Sequence, residues 1–209
     1  MIHFFGDSFT YCQGCTTDHE YYQRTYNGTQ KTWVELVSEY KQDTYINLGR
    51  AGIGNQIIID IIITQLHMIK EGDTVIIGRA DDSRFMVPHV TDNFNGYHNI
   101  LVGSLIDRSC DSMKEWDSNY YNSLVDYTKY VHVPNETPII QRFDYLYNSL
   151  VEYFNGKNVN VILWKVNEHL RDNITGGAKY PIISDEYSDI NDSHWSWEGH
   201  TQFYEFIIK

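Results

Sequence analysis

Four short apolar runs, Ile2–Phe5, Tyr45–Leu48, Asp73–Ile77 and Asn158–Trp164, alternate with segments of helical periodicity, and that alternation limits the chain to very few architectures. A strand buried on both faces reads as a continuous apolar run, and parallel neighbours must be joined by a crossover long enough to hold a helix. The intervening segments carry the matching signals. Trp33, Val34, Leu36, Val37 and Tyr40 recur at helical spacing. From Asn55 to Lys70 the isoleucines favour a strand by side-chain shape, but the length of the run and the stop at Gly72 give a helix. Thr137-Pro138 reads as an N-cap with proline at the first helical position, and Ile139, Phe143, Leu146, Leu150 and Phe154 form the buried stripe behind it. Glu198–Ile208 is the closing helix. The fold class that follows is α/β: a three-layer α/β/α sandwich around a central, mainly parallel sheet. A chain of 209 residues fits one such domain, residues 1–209, with the poorly periodic stretch 81–135 as an insertion.

Charge and composition exclude several function classes. A net charge of -12 without clustered Lys or Arg argues against a nucleic-acid partner and against anionic membranes. The first residues lack the basic stretch, long apolar core and cleavage site of a signal peptide, and Ile57–Ile63 is too short to span a bilayer and carries Asp60. A cytoplasmic or virion-associated protein is expected. Cys12, Cys15 and Cys110 lack the second pair that a zinc site needs and are expected to be reduced, structural thiols. Aromatic residues make up 15% of the chain, a content that suits interfaces or the apolar faces of sugars.

Ligands of open parallel sheets bind beyond the carboxyl ends of the strands. The loops there are Gly6-Asp7-Ser8, Gly49-Arg50-Ala51-Gly52 and Gly78-Arg79-Ala80-Asp81. A serine nucleophile needs a base, a group that orients the base, and donors for the oxyanion. Three blocks supply them in order: Gly6-Asp7-Ser8 after the first strand, Asn47-Leu48-Gly49-Arg50-Ala51-Gly52 after the second, and Asp192-Ser193-His194 before the closing helix. In these blocks the chain resembles the SGNH (GDSL-type) serine hydrolases, as a phage-like or bacterial member with a flavodoxin-like sheet. The resemblance implies an esterase acting on small acyl esters, often acetyl groups on sugars, without metal or organic cofactor. It makes Ser8 the nucleophile, His194 the general base and Asp192 the acid that orients it, with Asp189 as the fallback acid. The backbone N–H groups of Ser8 and Gly52 would hold the oxyanion.

Two departures from the family pattern matter. The terminal spacing is shorter than Asp-x-x-His, which would place Asn191 at the acid position. The third block has Ala80 where the family carries an oxyanion asparagine, so Asn55 or Arg79 would have to reach in, and Ala80→Asn would return the donor. Arg79, Asp81 and Arg84 are the candidates for binding substrate, a small molecule or a glycan ester, and His200 is expected to be structural. Two other readings stay open: an SGNH scaffold that binds with weak or no catalysis, and a nucleotide-binding protein using the Gly49–Gly54 loop, whose glycine spacing does not match the dinucleotide fingerprint.

Overall fold

The computed structural model describes residues 1–13, 15, 27–82, 84–91, 94–101, 118–132, 136–165, 195 and 197–208. Its strands are β1 (Ile2–Phe5), β2 (Tyr45–Asn47), β3 (Thr74–Arg79), β4 (Arg84–Thr91), β5 (Phe94–Leu101) and β6 (Asn160–Lys165). Its α-helices are α1 (Ser8–Tyr11), α2 (Trp33–Lys41), α3 (Asn55–Gln65), α4 (Ser118–Tyr127), α5 (Glu136–Asn155) and α6 (Trp197–Ile207).

The main sheet has four strands in the order β2-β1-β3-β6, every neighbouring pair parallel. Because strand side chains alternate between faces, each apolar run feeds two cores at once. Ile2 and Phe4 of β1, Ile76 of β3, and Ile162 and Trp164 of β6 belong to one cluster, closed by Trp33, Val34 and Val37 of α2 and Phe203 of α6. Phe5, Val75, Ile77, Val161 and Leu163 belong to the other, closed by Ile58, Ile59 and Ile62 of α3 and Phe143, Tyr147 and Phe154 of α5. Helices therefore cover both faces, which is the three-layer sandwich expected from the sequence. Among the described residues no helix is long and apolar enough to cross a membrane.

The first of these cores is built on aromatic rings: Phe4, Trp33, Trp164, Trp195 and Phe203 are all buried in it. Trp33 meets Phe4, Trp164 and Phe203 edge-on, with ring centroids 5.1, 5.6 and 4.8 Å apart. Trp33, Trp164, Trp195 and Trp197 are all buried, so none of them offers a ring face to a sugar.

Part of the 81–135 stretch is a hairpin: β4 and β5 pair antiparallel, from Arg84 opposite Leu101 to Thr91 opposite Phe94, and form a separate two-stranded sheet. Pro88 in β4 argues against a strand in sequence terms, yet each strand of a two-stranded sheet is an edge strand, where proline is tolerated.

Candidate active site

The parallel register sets Phe4 opposite Asn47 and Phe5 opposite Ile77, so the chain leaves β1, β2 and β3 at one edge of the sheet, side by side. Strand order reverses there, because β1 lies between β2 and β3. Helix α1 settles onto this edge through three glycines. A Cβ at Gly6 or Gly78 would come within 2.1 or 2.6 Å of the Thr10 hydroxyl oxygen, and one at Gly49 within 2.6 Å of the Tyr11 nitrogen. Asn47 fastens the arrangement: its Nδ2 donates to Thr10 O at 2.8 Å while its Oδ1 accepts from Gly49 N at 2.9 Å. Arg50 N donates to Gly6 O at 3.0 Å and joins the first two loops.

Ser8 opens α1, and Asp7 is its N-cap, accepting from Phe9 N at 3.1 Å. The Ser8 hydroxyl is buried and, among the described residues, has no hydrogen-bond partner. Its backbone N–H lies in the first turn of the helix, where no intrahelical acceptor exists. Gly52, in the turn beyond β2, has φ +76° and open space where a Cβ would stand, so conformation rather than crowding makes glycine the suitable residue.

Burial pushes the Asp7 carboxyl up to about 6, against the opposing pull of Arg84 and of the Phe9 N–H. An acid whose pKa is higher folded than unfolded stabilises the fold fully at pH below its unfolded value near 3.8, and that contribution is lost as pH rises towards 6. Asp7→Asn keeps a side-chain acceptor at the N-cap and removes the titration. Relative to the parent, the variant should gain roughly 3 kcal/mol of unfolding free energy between pH 4 and pH 7. Urea unfolding of both proteins across that range checks the sign; a difference that does not change with pH overturns it.

The third loop is held by a buried polar network that the sequence does not announce. Asp82 is its hub: Oδ1 accepts from Asn55 Nδ2 at 2.9 Å and Arg79 NH2 at 3.0 Å, and Oδ2 accepts from Lys165 Nζ at 2.5 Å. Arg79 also donates to Asp144 at 2.6 Å and lies 5.0 Å from the centre of the Tyr147 ring. Asn55 accepts from Ala80 N and Tyr147 OH, both at 3.0 Å, and donates to Ala80 O at 3.1 Å.

These contacts correct two expectations. Both N–H bonds of the Asn55 amide are already directed at Ala80 O and Asp82, so Asn55 acts as a clamp on the Ala80 backbone instead of an oxyanion donor. Arg79 is 2% exposed and tied to two carboxylates, which removes it from substrate binding and from the oxyanion. The Ala80 side chain is fully buried in the core with Phe5, Ile77 and Tyr147. An asparagine there would place an amide among apolar side chains, so Ala80→Asn destabilises the fold rather than returning a donor.

Asp192 and His194, with the fallback Asp189, lie outside the described residues, as does Cys110. Their neighbour Trp195 is described. Its ring packs on Phe9, the residue after Ser8, at 5.0 Å between centroids, and its carbonyl accepts from the Cys15 thiol at 3.7 Å. His200 is 1% exposed in α6, and its Nδ1 accepts from Trp33 N at 3.4 Å. That contact serves a first-turn N–H of α2. Cys12 and Cys15 are buried free thiols, and burial pushes Cys12 up to about 12, away from the thiolate form. Asp81 and Arg84 flank the site where the chain passes from β3 into β4, with Arg84 N donating to Asp81 O at 3.1 Å.

No protein-family model matches the chain, and no curated protein sequence matches it. Among solved structures, the chain is similar to a lipolytic protein of the G-D-S-L family from Desulfitobacterium hafniense, at 15% identity and TM-score 0.37, over 98% of this chain and 95% of that one. It is also similar to a member of the lipolytic G-D-S-L family from Veillonella parvula, at 13% identity and TM-score 0.35, over 99% and 95% of the two chains.

Proposed function

We propose that this chain is an ester hydrolase of the SGNH type, with Ser8 as nucleophile, His194 as general base and Asp192 as the group that orients the imidazole. The observation that carries the reading is the seat of Trp195 on Phe9. Trp195 directly follows the last of the three sequence blocks and Phe9 directly follows the first, so their packing brings together the described chain next to those two blocks. Two further features support it. The Ser8 hydroxyl has spent none of its bonding capacity on the described residues, and it sits where the chain turns from strand into helix at the sheet's switch point.

In the proposed reaction the Ser8 oxygen attacks the ester carbonyl while its proton passes to the imidazole of His194. The tetrahedral oxyanion is met by the Ser8 and Gly52 backbone N–H groups. The imidazolium then protonates the leaving alcohol, and the C–O bond breaks to leave an acyl-serine. Water, deprotonated by the same imidazole, releases the acid and restores Ser8. The scheme requires no metal or cofactor. With Asn55 committed to the loop, the hole has backbone donors only, and a missing side-chain donor typically costs ~10²–10³ in turnover. Small acyl esters, acetyl groups on carbohydrate included, are the substrate class.

A fluorophosphonate probe should label the full chain at Ser8, as shown by mapping the modified peptide. His194→Ala should abolish labelling, whereas His200→Ala should retain it and lower the melting temperature. Labelling at another serine removes the assignment. A folded parent that neither labels nor turns over any acyl ester is a scaffold without catalysis.

A further inference from the structure

Two arginines stand near the carboxyl end of β3, and the fold treats them differently. Arg79 is enclosed by Asp82 and Asp144. The Nε of each arginine is buried without a hydrogen-bond partner among the described residues, but only Arg79 has its remaining nitrogens in ion pairs there. A buried N–H without an acceptor is unfavourable until something supplies one. The β1–β3 register brings the segment that leaves β3 alongside Gly6-Asp7-Ser8. The backbone of Arg84 is held by its N–H bond to Asp81 O, two residues after the anchored Asp82.

Asp7 is near Arg84 but makes no ion pair with it within 4 Å. The Asp7 carboxylate caps α1 at Phe9 N, although it lies close enough to Arg84 to feel its charge. The chain as a whole carries -12, which repels anions, so an anionic ester would be held only where a cation has been left available locally. A guanidinium fork matches a carboxylate in shape and in number of donors.

We infer that Arg84 anchors a carboxylate carried by the substrate, so that the favoured esters are anionic ones. This rests on the ester-hydrolase reading and adds the substrate class to it. The full chain is assayed by acid release on two pairs: monomethyl glutarate against dimethyl glutarate, with the charge on the acyl side, and acetoxyacetate against methyl acetoxyacetate, with the charge on the alcohol side. In one pair the anionic ester should have a kcat/KM at least about tenfold above its neutral counterpart. Arg84→Gln should bring that ratio close to one, mainly through KM, and Arg84→Lys should keep part of it. The inference is overturned if neither anionic ester leads its counterpart, or if Arg84→Gln preserves the preference. NMR titration of the Ser8→Ala protein and its Arg84→Gln double variant with the same esters separates the two ideas. An Arg84-dependent binding preference without turnover by the parent rejects the hydrolase reading and keeps the anchor. Turnover without such a preference rejects the anchor alone.

Discussion

Asp82→Ala is expected to lower the unfolding free energy by roughly 3–5 kcal/mol, a large part of the 5–15 kcal/mol typical of a domain. The carboxylate is 3% exposed and accepts from Asn55, Arg79 and Lys165 at once. Removing it leaves two buried cations facing each other. Arg79 keeps Asp144, but Lys165 is 2% exposed, and its ammonium is already held below its ordinary pKa by burial, with Asp82 the chief opposing influence. Lys165→Met should cost much less, because it deletes the poorly tolerated charge and leaves Asp82 two donors. The double variant should be more stable than the sum of the single losses implies, since the buried charge that makes Asp82→Ala costly is absent. Urea unfolding of the three variants gives the comparison. Equal losses for Asp82→Ala and Lys165→Met would show that Asp82 is not the hub.

The same network shows where sequence reading stops. The apolar runs located every strand of the main sheet, because a strand buried on both faces has to be apolar along its length. The runs were read to Ile77 and Trp164, whereas the strands continue to Arg79 and Lys165, which pair across β3 and β6. Hydrophobic periodicity registers apolar residues and passes over a charge whose burial depends on a partner from another element. Asp81 was the acid singled out, and the hub is its neighbour Asp82, because only the fold decides which carboxylate points inward. The signal that could have found it is a cation ending each of two adjacent strands with an acid a few residues beyond.

Alignment to a motif failed at Ala80 for a related reason. Chain order places Ala80 where a family asparagine belongs, but the Ala80 side chain enters the core, with Asn55 holding both its N–H and its carbonyl. Helix α1, of four residues, is too short to show a period at all. It was legible only as the Gly6-Asp7-Ser8 turn, and the reason for the glycine is spatial: Thr10 fills the place a side chain would take.

Ser8→Ala should divide function from stability more sharply than any other substitution. If Ser8 carries the acyl group, deleting its oxygen removes the covalent route altogether, and turnover should fall by at least ~10⁴, since members of a triad act as a unit. The fold should respond far less. Ser8 is 2% exposed and its hydroxyl has no partner among the described residues, so deleting the oxygen breaks none of the hydrogen bonds that hold the described fold. Alanine fits the same position and keeps the Asp7 cap on Phe9 N, which depends on neither the Ser8 side chain nor its chemistry. The variant should therefore unfold at a nearly unchanged midpoint, within roughly 1 kcal/mol of the parent. Thermal and urea unfolding measure this on the same samples used for the assay. A loss of stability together with a loss of activity would mean that the Ser8 oxygen is a structural group, and the nucleophile would have to be sought elsewhere. Activity lost with stability retained is the signature of a hydroxyl kept for the reaction rather than for the fold.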